Sequence, residues 1–199
     1  HQKMETTLSS IYALWEDWLP VRSYRTFVKR GYYVDEFGDI VVIVMNKMYY
    51  DMQIHYNNNT TNNTTDKTTN AHVRQLTNVI EDARDNNKSV WLIGHTYPHD
   101  SYHLQYSEYM YDLIDEYSDT ITNQFWGSSH HNHYVLYDYD GITKAMGYVG
   151  SSILPDRHHP EFRVYSYDKK TMDIINYEQY ALNITELNDM FDLDLDFDR

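Results

Sequence analysis

Apolar residues recur along this chain with two periods, and the change between them divides it. Leu8, Ile11, Tyr12, Leu14, Trp15 and Trp18 fall at helical spacing, which predicts a helix over 6–18 closed by Pro20. A short basic helix follows. Gly31-Tyr32-Tyr33-Val34 then reads as a strand, Glu36-Phe37-Gly38-Asp39 as a turn, and 40–45 as a β-branched, fully buried strand ended by Asn46. Helical spacing returns over 71–86, where Val73, Leu76, Val79, Ile80 and Ala83 face inward, and over 102–117, where Tyr106, Tyr109, Met110, Leu113 and Ile114 share a face. Between and after these helices, 90–93 and 121–126 are two further buried strands. Beyond His130 the period drops to two, in 134–137, 145–149, 162–167 and 172–180, with turns at Asp138-Tyr139-Asp140-Gly141 and Tyr167-Asp168-Lys169-Lys170. Helices alternating with strands, followed by an antiparallel meander, predict an α/β layered sandwich with a mixed sheet.

Two of the strands end in glycine turns that carry chemistry. Gly94-His95 follows the second buried strand and Gly127-Ser128-Ser129-His130 follows the third. A glycine lets the chain turn sharply off a strand and presents the next side chains at the sheet edge. Two such turns aim imidazoles at one place, where a metal can be held. The chain has 11 histidines, and His95, His130 and His133 could form a three-histidine zinc site. The other reading makes His131, His133, His158 and His159 solvent-facing loop residues; His99 belongs to the same scatter. Asp100 and Asp156 are exposed-loop carboxylates. Ser128 and Ser129 stand too close to His130 in sequence for a nucleophilic triad.

Charge and composition narrow the partners. The net charge is −14 and the pI near 5.0, so nucleic acid and anionic membrane are set aside as general partners. Arg22, Arg25, Lys29 and Arg30 form the one dense basic stretch, read as a solvated helix face. The 21 tyrosines suit half-wet surfaces and interfaces. With no cysteine, a metal would have to take His, Asp, Asn or water. No apolar run is long enough to span a membrane and no signal peptide is visible.

Asn58, Asn59, Asn62, Asn63, Asn87 and Asn183 each open an N-glycosylation triplet, the first four within an Asn/Thr-rich tract over 57–69. The tract is either a glycosylated loop of a secreted protein or plain low complexity, and the loop is favoured. His1 and Arg199 as end residues suggest a piece of a longer precursor. Over 191–199, Phe191, Leu193, Leu195 and Phe197 alternate with aspartates. This reads first as an edge strand or acidic tail, and second as an arm that adds to a neighbouring subunit's sheet. A calcium loop would need a glycine and a curl that strict alternation lacks.

Several passages, in order, resemble the C-terminal half of the catalytic domain of acid sphingomyelinase-like phosphodiesterases, in the calcineurin-like metallophosphoesterase superfamily. They are Trp15-Glu16-Asp17-Trp18-Leu19-Pro20, Gly31-Tyr32-Tyr33, the strand ending at Asn46, and Val90-Trp91-Leu92-Ile93-Gly94-His95. After these come Tyr117-Ser118-Asp119, Gln124-Phe125-Trp126-Gly127, Phe162-Arg163-Val164-Tyr165-Ser166-Tyr167-Asp168, and 180–186 with the Asn183 triplet. The resemblance implies part of a layered β-sandwich with flanking helices and a two-metal centre, usually zinc, whose hydroxide attacks phosphorus. It makes His95 a ligand of one metal and His130 a ligand of the other. It places Ser128 where a further histidine would share His95's metal, and serine is a poor zinc ligand. The family's Asp-x-His, Gly-Asp and Gly-Asn-His motifs should precede the first helix and do not, nor is there a cysteine-rich extension.

Residues 1–190 are thus expected to be the C-terminal half of a metallophosphoesterase-like domain, with 191–199 an acidic strand or tail. The expected role is a non-catalytic, glycosylated extracellular or lysosomal module, with zinc weak or absent. The alternative is one half of a split zinc phosphodiesterase. Either role predicts a partner over exposed sheet surface: the missing N-terminal half or further copies of the chain.

Overall fold

The computed structural model describes residues 2–46, 65–98, 104–155 and 158–191. Helix α1 (Gln2–Trp15) and helix α2 (Tyr24–Arg30) pack together through Tyr12, Leu19 and Phe27. Strands β1 (Tyr33–Phe37) and β2 (Ile40–Val44) form a hairpin. Helix α3 (Thr65–Asp85) leads to β3 (Ser89–Ile93), and helix α4 (Leu104–Glu116) to β4 (Ile121–Trp126). Strands β5 (His133–Tyr139), β6 (Ile142–Val149), β7 (Glu161–Tyr167) and β8 (Ile174–Ala181) precede the seven-residue helix α5 (Ile184–Met190).

The sheet is mixed, as the patterning predicts. Its order is β1-β2-β3-β4-β6-β5, with β2, β3, β4 and β6 parallel and antiparallel strands at both edges. One face buries Val41, Ile43, Val90 and Leu92 under Leu76, Ile80 and Ala83 of α3 and Met110, Leu113 and Ile114 of α4. These helix positions follow the three-to-four spacing, so each helix turns one apolar stripe to the sheet. The opposite face carries Trp91, Phe125, Tyr148 and Tyr134. On it lies a separate two-stranded sheet, β7-β8. Tyr165 meets the Phe125 and Tyr148 rings at 5.0 and 5.4 Å, and Tyr167 meets Trp91 at 5.3 Å. The Tyr134 hydroxyl donates to that of Tyr177 at 2.7 Å.

Several expectations shift. The expected meander divides: β5 and β6 join the main sheet and β7-β8 forms the second layer. Long-range ring contacts, invisible to local alternation, choose the partners. Helix α1 stops at Trp15 and 16–18 form a turn, leaving Leu14, Trp18 and Val21 exposed, the last two at 79% and 87%. Helix α3 begins at Thr65, ahead of the expected 71, so 65–69 are helical. Asn58, Asn59, Asn62 and Asn63 and the alternating 192–199 lie outside the described residues. The basic stretch does face solvent at Arg25 and Lys29, while Arg22 pairs with Asp35 at 2.8 Å.

Trp126, the last residue of β4, fixes the upper edge of the sheet. Its indole lies across both neighbouring strands where each has a glycine. A Cβ at Gly94 would collide with its ring, and one at Gly147 would lie 2.8 Å from Cδ1 and Nε1. Below it, Gln124, Trp126 and Tyr137 are buried on the helix face, and the Gln124 amide has no hydrogen-bond partner among the described residues. Gln124 pairs with Gly147, which brings the three together.

Replacing Gly94 or Gly147 with alanine is expected to cost about 1–3 kcal/mol by overpacking against Trp126. Chemical denaturation would show it, and Trp126→Leu should remove much of the penalty in a double-mutant cycle. A second expectation concerns alkali. Burial is the largest cause raising the hydroxyl ionisation of Tyr109, Tyr117, Tyr137 and Tyr139, Tyr117 to about 12. The fold therefore holds the neutral phenols. Below about pH 10 the unfolded chain is neutral at tyrosine too; above it, the unfolded chain sheds protons that the folded one keeps, and stability falls. Tyrosinate absorbance should show these residues titrating only as the chain unfolds.

Candidate functional site

The parallel strands β2, β3, β4 and β6 all finish at one edge, the position where α/β sheets place their ligands. Their backbone ladder continues into the loops. Met45 N–H donates to Ile93 O at 2.8 Å, Gly94 N–H to Phe125 O at 2.9 Å, Gly127 N–H to His95 O at 2.9 Å and Gly150 N–H to Trp126 O at 2.8 Å. The two glycine turns are thus bonded to each other, and His95 and His130 stand at neighbouring strand ends. His95 Nδ1 lies 4.0 Å from where a Gly127 Cβ would project. His95 is exposed and His130 half-buried.

The second turn is tightly wound. Ser128 and His130 both have positive φ, 76° and 60°, a conformation L-residues seldom adopt. Ser128 is exposed, and the Ser151 hydroxyl donates to His130 O at 3.2 Å. His133 is engaged locally: its Nδ1 lies 3.0 Å from His131 O, and a carbonyl only accepts, so that nitrogen carries the hydrogen. Its ring meets Tyr97 edge-on at 5.6 Å.

Beside this turn opens a cavity of about 450 Å³, walled by His130, His131, His158, His159, Asn132 and Glu161 among others. Its walls are tied together. Asn132 donates to Glu161 at 2.6 Å and accepts from Ser151 N–H at 3.0 Å, and Gln179 donates to Glu161 at 2.9 Å. His131 and His158 meet edge-on at 4.4 Å. Ile184 N–H donates to His159 Nδ1 at 3.2 Å, so that nitrogen is unprotonated and the imidazole satisfies a free N–H at the start of α5. His158 and His159 are therefore half-buried wall residues rather than solvent-facing loop residues.

The zinc arrangement is not assembled. Among the described residues, no three His, Cys, Asp or Glu side chains converge to hold a metal ion, so His95, His130 and His133 do not form the three-histidine set the sequence suggested. His99, Asp100 and Asp156 lie outside the described residues.

Sequence reasoning passed over several wall residues. Asn132, Ser151 and Glu161 carry no local signal, because a hydrogen-bond network between loops and a strand unites them. Helix α5 did have one. Asn183 accepts from Glu186 N–H at 3.2 Å and donates to the Glu186 carboxylate at 3.3 Å, a reciprocal cap of the Asn-x-x-Glu kind. At the end of α3, Asn87 adopts φ 53°, with Asn87 N–H on Arg84 O and Lys88 N–H on Ala83 O, a Schellman closure. Both asparagines are exposed. Asn46, expected only to end β2, donates to Arg30 O at 3.2 Å and holds the end of α2.

Among the described residues, no helix is long and apolar enough to cross a membrane. No protein-family model matches the chain. It is similar to sphingomyelinase phosphodiesterase D of Dictyostelium discoideum, 26% identical over an alignment of 131 residues that covers 62% of this chain and 29% of that protein. That distant similarity hints at a sphingomyelinase-like ancestry, and the chain spans less than a third of the relative it matches.

Proposed function

We propose that the chain is a non-catalytic, glycosylated extracellular or lysosomal module descended from an acid sphingomyelinase-like phosphodiesterase. The observation that carries this reading is the pair of joined glycine turns. They hold two inherited ligand positions, His95 and His130, with an exposed Ser128 in the third place and, among the described residues, no metal-ligand cluster around them. A two-metal hydrolase needs several more ligands, a bridging carboxylate among them. The exposed, backbone-capping Asn87 and Asn183 suit N-glycans.

Apolar surface supports an assembly role. Leu14, Trp18 and Val21 stand out from the α1–α2 corner, and Phe162, Val164 and Tyr180 from the outer face of β7-β8. Isolated exposed hydrophobics are ordinary, but grouped ones mark contact surfaces. The partner is the missing N-terminal half or further copies of the chain.

A second reading is favoured by the two inherited histidines standing at adjacent strand ends: one half of a split zinc phosphodiesterase, completed by the polypeptide that brings the absent ligands. Secretion from eukaryotic cells with zinc in the medium separates the two. The module reading expects a chain that shrinks on deglycosylation, loses that shift in Asn87→Gln/Asn183→Gln variants if those sites carry the glycans, and does not hydrolyse bis(p-nitrophenyl) phosphate. Hydrolysis by the full-length protein that disappears in His95→Ala would overturn it in favour of the split enzyme.

A further inference from the structure

Two exposed apolar patches stand on different elements and carry opposite local charge. The first is the α1–α2 corner, where Leu14, Trp15, Trp18 and Val21 face solvent. Arg25 and Lys29, four residues apart and so on one side of α2, are exposed beside them. Glu16 and Asp17 lie in the turn, but the stretch Arg22, Arg25, Lys29 and Arg30 holds no acid and makes this corner the basic part of a chain whose net charge is −14. The second patch is the outer face of β7-β8. Register sets Phe162 opposite Tyr180 and Val164 opposite Glu178 on that side, and the Phe162 and Tyr180 rings stack at 5.0 Å and 11°. Glu178 is exposed, and its carboxylate accepts from the Tyr180 hydroxyl. Arg163 is turned to the inner side, its guanidinium 4.6 Å from the Tyr177 ring, and Lys169 and Lys170 sit at the far turn of the hairpin. Glu178 therefore sets the sign of that face.

We propose that the α1–α2 corner of one copy docks on the outer face of β7-β8 of a second copy. The inference rests on the assembly reading above and chooses, of its two partners, the chain itself. Charge selects the pairing. Two chains of net charge −14 repel in most orientations, and corner on corner or hairpin on hairpin would set like charges facing each other. Corner on hairpin brings Arg25 and Lys29 to Glu178 instead. It also lays Trp18 and Val21 against the stacked Phe162 and Tyr180 rings and Val164, which gives aromatic anchors inside a charged rim, the usual build of a protein contact. Because the two patches differ, each copy uses one and still offers the other. Such a contact is heterologous, and it extends into a ring or an open chain of copies rather than closing as a two-fold dimer.

Sedimentation velocity on the full chain, on Trp18→Asp, on Phe162→Asp and on an equimolar mixture of the two variants tests this. The parent is expected to form concentration-dependent assemblies larger than a dimer, and each variant alone to be a monomer. The mixture is expected to give a one-to-one dimer that grows no further, because one intact corner then meets one intact hairpin face. Should an aspartate variant not fold, the exposed-site variants Lys29→Glu and Glu178→Lys are each expected to weaken the association about tenfold. A monomeric parent would overturn the proposal, as would assembly that survives in Trp18→Asp or Phe162→Asp, or a mixture that stays monomeric. Flotation of a monomeric parent with phosphatidylserine vesicles, lost in Trp18→Asp, would overturn it in favour of a lipid surface. A monomeric parent that is glycosylated and inactive would end this contact and leave the module reading standing. Hydrolysis lost in His95→Ala would remove that reading, and sedimentation would still decide the contact.

Discussion

The indole of Trp126 lying between Gly94 and Gly147 is the constraint on which the strand-end edge depends. A flat ring can sit across three neighbouring strands only if the flanking positions project nothing toward it, and both flanking residues lack a side chain. With the ring in place, the last turn of the ladder closes above it: Gly94 N–H onto Phe125 O, Gly127 N–H onto His95 O, Gly150 N–H onto Trp126 O. The glycines therefore serve two needs at once. They make room for the indole below, and Gly94 begins the turn that carries His95 above. Burial also has a cost, because the Gln124 amide is enclosed without a hydrogen-bond partner among the described residues, and such a group is expensive to leave unmet.

From that edge the loops diverge. His95 stays exposed against Gly127, whereas His130 leads into a cavity whose walls are bound to one another through Asn132, Glu161, Ser151 and Gln179. Ser128 occupies an exposed, left-handed position, and His133 and His159 have hydrogen bonds that commit one nitrogen each to the backbone. The edge takes its shape from the strand ladder and the packing of the indole.

What the sequence made legible follows from the range of the forces involved. The β-branched runs of β2 and β3 and the three-to-four stripes of α3 and α4 are local patterns, and each appears as an element close to its expected place. The glycine turns were legible because a sharp exit from a strand needs a particular residue. The Trp126–Gly94–Gly147 contact was not, since its members are far apart in sequence and meet only through strand order. The same applies to β7-β8, where alternation predicts strands but not their partners; the Tyr165, Tyr167 and Tyr177 contacts decide those. The α1 stripe misled for the opposite reason: its helical spacing was right, but Leu14 and Trp18 face outward because α2 covers only the side bearing Tyr12.

We propose that the strand-end edge keeps two ligand positions, His95 and His130, without holding a metal. Zinc titration in competition with a chromophoric chelator, on the parent chain and on a His95→Ala/His130→Ala double variant, tests it most directly. The account predicts the same weak binding for both proteins. Tight, one-to-one zinc binding by the parent that is lost in the double variant would contradict it.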